Sequence, residues 1–218
     1  MLKRVYIDNY KSLVNFELAL TSINLFLGAN GSGKSAVFEV LRRIQGFVGG
    51  MGRAIDLFSA DNRTRWQTSP GQTFELEIEG NEGIYKYELS IEHFEEKKKA
   101  RARYECLWFN DRPLLKLENG DVQLYRDDHS AGPIYSVDWS LSAVGAIPPR
   151  HDNTRLTWFK DWLDRLIIVH IVPVMMSEAS PQEESLPSPH LENFTSWYRS
   201  TSYKINLGCG HDRPAPPT

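Results

Sequence analysis

A chain of 218 residues has room for one large domain or two small ones. Its 41% hydrophobic and 24% charged residues are near globular averages and exclude wholesale disorder. Twenty-five Lys+Arg against 28 Asp+Glu leave a net charge of −3, which excludes a broad basic coat for nucleic acid but leaves room for a local patch.

Residues 3–7 predict a short strand. Asn9-Tyr-Lys-Ser12 makes a turn, and Val14, Phe16, Leu18 and Leu20 alternate as a second strand with one buried face. Ile23-Asn-Leu-Phe-Leu27 is a compact apolar run ending at Gly28, which predicts a strand inside a sheet. From Ser35 the period changes. Val37, Val40, Leu41, Ile44 and Val48 recur at helical spacing until Gly49-Gly50 stops the helix. Residues 50–72 are polar and predict a surface connection.

An antiparallel meander follows. Phe74, Leu76 and Ile78 alternate with Glu75, Glu77 and Glu79; residues 80–83 turn, and Tyr85, Tyr87, Leu89 and Ile91 form the returning face. Residues 104–109, 114–117 and 122–125 repeat the pattern, which predicts one wet side for this sheet. Residues 136–149 are irregular. Leu156, Phe159, Leu163 and Leu166 mark an amphipathic helix, which feeds residues 167–172 as a buried strand. A Pro/Ser/Glu loop over residues 177–189 leads to a helix at 191–199, with a break at Ser200-Thr-Ser. The tail from residue 200 to 218, with Gly208, Gly210, Pro214, Pro216 and Pro217, reads as a disordered or out-of-frame end.

Cys106 and Cys209 form neither a CxxC pair nor a disulfide framework, which fits a reducing compartment. Asp8 falls where a signal peptide needs its apolar core. The longest apolar run, residues 166–176, is interrupted by His170 and Pro173 and is too short to span a bilayer. The expectation is a cytoplasmic protein with no membrane partner.

Gly28-Ala29-Asn30-Gly31-Ser32-Gly33-Lys34-Ser35 matches G-x-x-x-x-G-K-[ST] at every fixed position. Gly28 allows a sharp exit from the preceding run, and Gly31 and Gly33 let the backbone curl until its N–H groups converge on phosphate oxygens. Those amides lie at the start of a helix, where unpaired donors and the macrodipole favour an anion. Lys34 supplies a mobile charge to the β- and γ-phosphates, and the Ser35 hydroxyl is suited to ligate Mg²⁺. A GTPase would add D-x-x-G and N/T-K-x-D elements, and neither occurs.

The chain resembles the ATP-binding heads of the RecF/SMC/OLD-like branch of ABC-type, AAA-domain ATPases. The resemblance rests on Asn9-Tyr-Lys-Ser-Leu13, similar to that group's N-F-[KR]-S-F turn, and on residues 23–35, similar to its G-x-N-G-[SA]-G-K-S loop. The later Asn193-Phe-Thr-Ser-Trp-Tyr-Arg199 is similar to a segment of bacterial AAA members. It implies an α/β P-loop fold, the N-terminal half of such a head with an antiparallel β lobe, over residues 1–199. It further implies ATP and Mg²⁺ as ligands, Asn30 near the γ-phosphate, and Lys11 and Ser12 reaching the nucleotide from the first turn. A partner head, as a homodimer or a complementary ATPase, follows from the same resemblance. So does a family role in DNA repair, chromosome maintenance or phage defence, with nucleic acid met through the full-length family member.

The second half of that pattern is missing. No run of four apolar residues ends in Asp-Glu as a Walker B; Ala54-Ile-Asp56 and Ser136-Val-Asp138 are too short and too polar. No L-S-G-G-Q signature occurs, and Leu141-Ser-Ala-Val-Gly145 shares only two letters and a distant Gly. Gln182 is the one candidate for the family's metal-facing glutamine, with a surface loop as the competing reading. The expectation is therefore a truncated chain that binds ATP without turning it over, its catalytic residues unknown. The alternative is a non-catalytic nucleotide-binding regulator or gene remnant acting through a partner protein. Lys97-Lys-Lys-Ala-Arg-Ala-Arg103 is a second candidate contact for nucleic acid, placed at a hairpin tip where a solvated turn is the plainer reading.

Overall fold

The alternation of Phe74, Leu76 and Ile78 with three glutamates produces a strand whose apolar members are fully buried. The computed structural model describes residues 1–94, 99–177 and 182–208, the last seven of these by backbone alone. The chain divides into two units, Met1–Leu166 and Ile167–Thr218.

The first unit is built on one sheet of eight strands: β1 (Leu2–Asp8), β2 (Phe16–Ala19), β3 (Gly71–Gly80), β4 (Gly83–Phe94), β5 (Lys99–Phe109), β6 (Arg112–Glu118), β7 (Asp121–Tyr125) and β8 (Ala131–Ser136). Their order is β2-β1-β3-β4-β5-β6-β7-β8, antiparallel throughout. Register aligns Val5, Leu76, Tyr87, Leu107 and Leu115 in one row across five strands, all of them buried. Each such side chain contributes roughly 1.5–3 kcal/mol by leaving water. The opposite face carries an ionic carpet. Arg4 pairs with Glu17, Glu75 and Glu77, and Lys86 pairs with Glu88 and Glu75. The wet side read from the glutamates is therefore present.

Helix α1 (Lys34–Val48) covers the apolar face with Val37, Val40, Leu41, Ile44 and Phe47. Phe47 meets Phe58 edge-on at 5.7 Å, and Phe58 meets Phe74 at 5.2 Å, so an aromatic ladder joins helix to sheet. Short helices α2 (Ala54–Leu57) and α3 (Ala143–Ala146) follow, with a 3₁₀ turn at Ala60–Asn62. Helix α4 (Thr154–Asp164) seats Phe159 over Tyr85 and Tyr87, and stacks Trp158 on Tyr85 at 4.8 Å. Gln45 of α1 donates to the carbonyls of Leu163 and Leu166 at 2.7 and 2.8 Å, tying down the end of α4.

The second unit holds a 3₁₀ turn at Pro173–Met175 and helix α5 (Phe194–Gly208). No helix among the described residues is long and apolar enough to cross a membrane.

Several expectations need correcting. Residues 24–29 carry no regular structure, and Ile23, Leu25 and Leu27 are 80% exposed or more. Residues 167–172 likewise form no strand, with Ile167 and Ile171 more than half exposed. A buried strand needs a neighbour to satisfy its backbone, and every described strand is engaged in the antiparallel ladder. Helix α5 does not break at Ser200: it continues to Gly208, and Ser200 is buried. Ser and Thr are only moderately poor helix formers, so neighbouring packing overrides them. The expected disordered tail is thus helical over residues 200–208, and residues 209–218 lie outside the described residues. Strand β8 occupies residues 131–136, which the sequence pattern did not mark. Lys99 pairs with Phe94 where β4 and β5 meet as a hairpin, Arg101 and Arg103 lie farther along β5, and Lys97 and Lys98 are outside the described residues. The Arg101 guanidinium is held between the rings of Phe94 and Trp139 and pairs with Glu92 at 2.9 Å, a structural role.

Candidate functional site

The change of period at Ser35 is a real boundary: α1 begins at Lys34, with Gly33 as its N-cap. Gly33 adopts φ +92 and Gly31 φ +83, conformations that side chains rarely take. A Cβ on Gly33 would meet Leu13 at 2.7 Å and Ser12 Oγ at 3.0 Å, so the loop is pressed against the first turn. A Cβ on Gly28 would meet Ser32 Oγ at 2.9 Å. Close approach of backbone is thus required at both ends of the loop. No acidic residue occupies the first turn of α1, which leaves its free N–H groups and dipole to attract an anion.

Lys34 folds over its own loop and donates to the carbonyls of Gly28 and Ala29 at 2.7 and 2.8 Å, and to Ser32 Oγ at 3.2 Å. These bonds fix the lysine above the loop from which it would serve phosphate. The loop opens on a cavity of about 840 Å³ lined by residues 30–36 together with Lys11, Ser12, Glu39 and Arg65. The residues brought together from the motif and from the first turn therefore include Asn30, Gly31, Ser32, Gly33, Lys34, Ser35, Lys11 and Ser12. Gly28 and Ala29 form the base of the loop behind them.

The first turn is rigid. Tyr10 and Leu13 bridge each other, Tyr10 and Leu13 are buried, and Lys11 sits at φ 51 with its N–H donating to Asn62 O at 2.7 Å. The Lys11 ammonium pairs with the Glu39 carboxylate, which Arg43 also engages at 2.6 Å. Burial opposes ionisation of Glu39, yet Lys11 and Arg43 hold its carboxyl down at about 2. Glu39 and Arg65 were missed from sequence. For Glu39 a signal existed, since it lies one turn beyond Ser35 on the same helix face.

The remaining candidates lie elsewhere. Asp56 accepts from the Arg53 backbone N–H at 3.2 Å, and Asp138 from that of Ser140 at 2.9 Å; both are local caps and neither lines the cavity at the loop. Leu141-Ser-Ala-Val-Gly145 forms the start of α3, where Ser142 Oγ accepts from the Gly145 N–H. Gln182 is in an exposed bend of the second unit. Among the described residues no group of three or more His, Cys, Asp or Glu is placed to hold a metal ion. The Ser35 hydroxyl is a hard oxygen donor of the kind that suits Mg²⁺, an ion that keeps most of its waters and takes few protein ligands.

One solved chain, described as concerning ATP-driven dimerization and DNA-stimulated activation of SMC ATPases, matches 51% of this chain and 70% of its own length. Its identity is 17% and its TM-score 0.32, too low to carry an argument. No curated protein matches the sequence. A family model described as an AAA ATPase domain matches residues 1–123, more than half of the chain and all of the described residues that line the cavity at the loop. With a phosphate loop at the head of α1 and this match around it, the chain belongs to the AAA ATPase domain family.

Proposed function

We propose that this chain binds ATP together with Mg²⁺ through residues 28–35, as the nucleotide-binding part of an ATPase of the RecF/SMC/OLD-like type. The observation that carries the reading is the seat of the loop. Gly31 and Gly33 hold the loop at positive φ, Gly33 rests on Leu13 and Ser12, and Lys34 is held over the loop carbonyls at the start of a fifteen-residue helix. In this reading the loop amides and Lys34 hold the β- and γ-phosphates, and Asn30 and Ser12 line the approach to them. Mg²⁺, when bound, neutralises phosphate charge, and Ser35 is the residue that would hold it. A contribution of Gln182 to that metal rests on family resemblance alone. So do the partner head, the meeting with nucleic acid, and the expectation that a Walker B carboxylate and a signature segment must come from elsewhere for turnover.

Titration calorimetry with ATP and Mg²⁺ tests the assignment. Lys34→Ala removes a charge-assisted contact and is expected to weaken binding by about 1.5–3 kcal/mol. Equal affinity for the wild type and Lys34→Ala overturns the site. Phosphate release measured on the same sample is expected to stay at background; steady turnover on the order of 1 s⁻¹ would mean the chain carries its own catalytic carboxylate.

A further inference from the structure

Glu39 poses a problem in electrostatics. It lines a cavity suited to a polyanion, and a carboxylate beside phosphate repels it. Evaluated alone, it should weaken the site. Its surroundings give it a different task. Glu39 accepts from Lys11 and Arg43, and both cations lie 5.8 Å from the centre of the buried Tyr10 ring. Two cations and one anion leave the group with a net charge of +1, so the cavity wall stays attractive to phosphate. The backbone of Lys11 is fixed by its bond to Asn62 O, but a lysine side chain has four rotatable bonds and loses rotamer freedom when held. Glu39 holds it beforehand. An ammonium has three donors, so Lys11 can keep its bond to Glu39 while offering the others to phosphate, and Arg43 shares the carboxylate.

Resting on the ATP reading above, we propose that Glu39 is a positioning residue for the nucleotide: from α1 it places the Lys11 ammonium at the phosphate cavity, and its gain through preorganisation exceeds its repulsion of phosphate. The sign of one measurement decides between these effects. If repulsion dominates, Glu39→Gln tightens ATP binding; if positioning dominates, it weakens binding although a negative charge has been removed.

The test is a double-mutant cycle on the full chain, read by calorimetry with ATP–Mg²⁺, using Glu39→Gln, Lys11→Ala and the pair. Glu39→Gln is expected to weaken ATP binding on the order of fivefold, and to have no weakening effect once Lys11 is already alanine. Glu39→Asp keeps the charge with a shorter reach; it is expected to fall between wild type and Glu39→Gln, and it decides the matter if the Gln variant does not fold. Binding equal to or tighter than wild type in Glu39→Gln overturns the proposal, as does an equal loss in both Lys11 backgrounds. Either result leaves the phosphate loop standing so long as Lys34→Ala still weakens ATP. A wild type that shows no ATP binding overturns the phosphate-site reading and this inference with it.

Discussion

Glu105 shows what one side chain can do inside a sheet. It is fully buried on β5, where it accepts from Tyr87 Oη at 2.8 Å, from Ser142 Oγ at 2.6 Å and from the Ala143 N–H at 2.6 Å. These bonds fasten the start of α3 to the sheet. Burial raises the carboxyl above its usual range and outweighs the donors that favour ionisation. A raised native pKa means the folded state holds this proton more tightly than the unfolded chain. Its contribution is therefore fully present below the ordinary value near 4.5 and is lost as pH rises through the native value. Glu105→Gln is expected to remove that part of the pH dependence, because its carbonyl can serve Ala143 and its amide can donate to the hydroxyl oxygens. Glu105→Leu leaves those groups without an acceptor and is expected to cost about 3 kcal/mol or more. Urea unfolding across pH checks both, and a Leu variant as stable as the wild type would mean the network holds nothing together.

At the scale of elements, legibility followed the range of the interactions. The Glu/apolar alternation of β3, the helical period from Val37 to Val48 and the glycines of the phosphate loop are local patterns, and the structure reproduces each of them. Burial of residues 23–27 was a different kind of inference. Their composition says that they suit a sheet interior, but a strand is buried only if other strands flank it, and none among the described residues does. Residues 167–172 failed for the same reason. Glu39 escaped because its meaning depends on Lys11 and Arg43 together, one of them 28 residues away. The exposed run yields a direct expectation. With Leu25 at 80% exposure, Leu25→Asn should change the unfolding free energy by no more than about 0.5 kcal/mol and should improve solubility. A loss of about 2 kcal/mol or more in thermal or urea unfolding would mean that this run is packed in the folded chain.

At the scale of the whole molecule, the distribution of the site over the two units matters most. Among the described residues, those lining the cavity at the loop lie between positions 11 and 65, inside the unit Met1–Leu166, and the sheet and the four helices that support it belong to the same unit. The last helix of that unit is closed locally: Gln45 caps the carbonyls of Leu163 and Leu166, and Lys160 donates to the carbonyls of Gly145 and Ile147 at 2.8 and 2.7 Å. The first unit thus satisfies its own backbone at the boundary and carries its own aromatic core through Phe47, Phe58, Phe74, Tyr87 and Phe159. Among the described residues, those lining the cavity at the loop all precede Leu166. Residues 1–166 expressed alone are therefore expected to fold cooperatively and to bind ATP–Mg²⁺ within about threefold of the full chain, a difference below about 0.7 kcal/mol. Calorimetry on the two lengths, with Lys34→Ala as the control in each, checks this. If the shorter chain folds but loses ATP, the second unit supplies part of the nucleotide site, and Gln182 becomes the first residue to substitute.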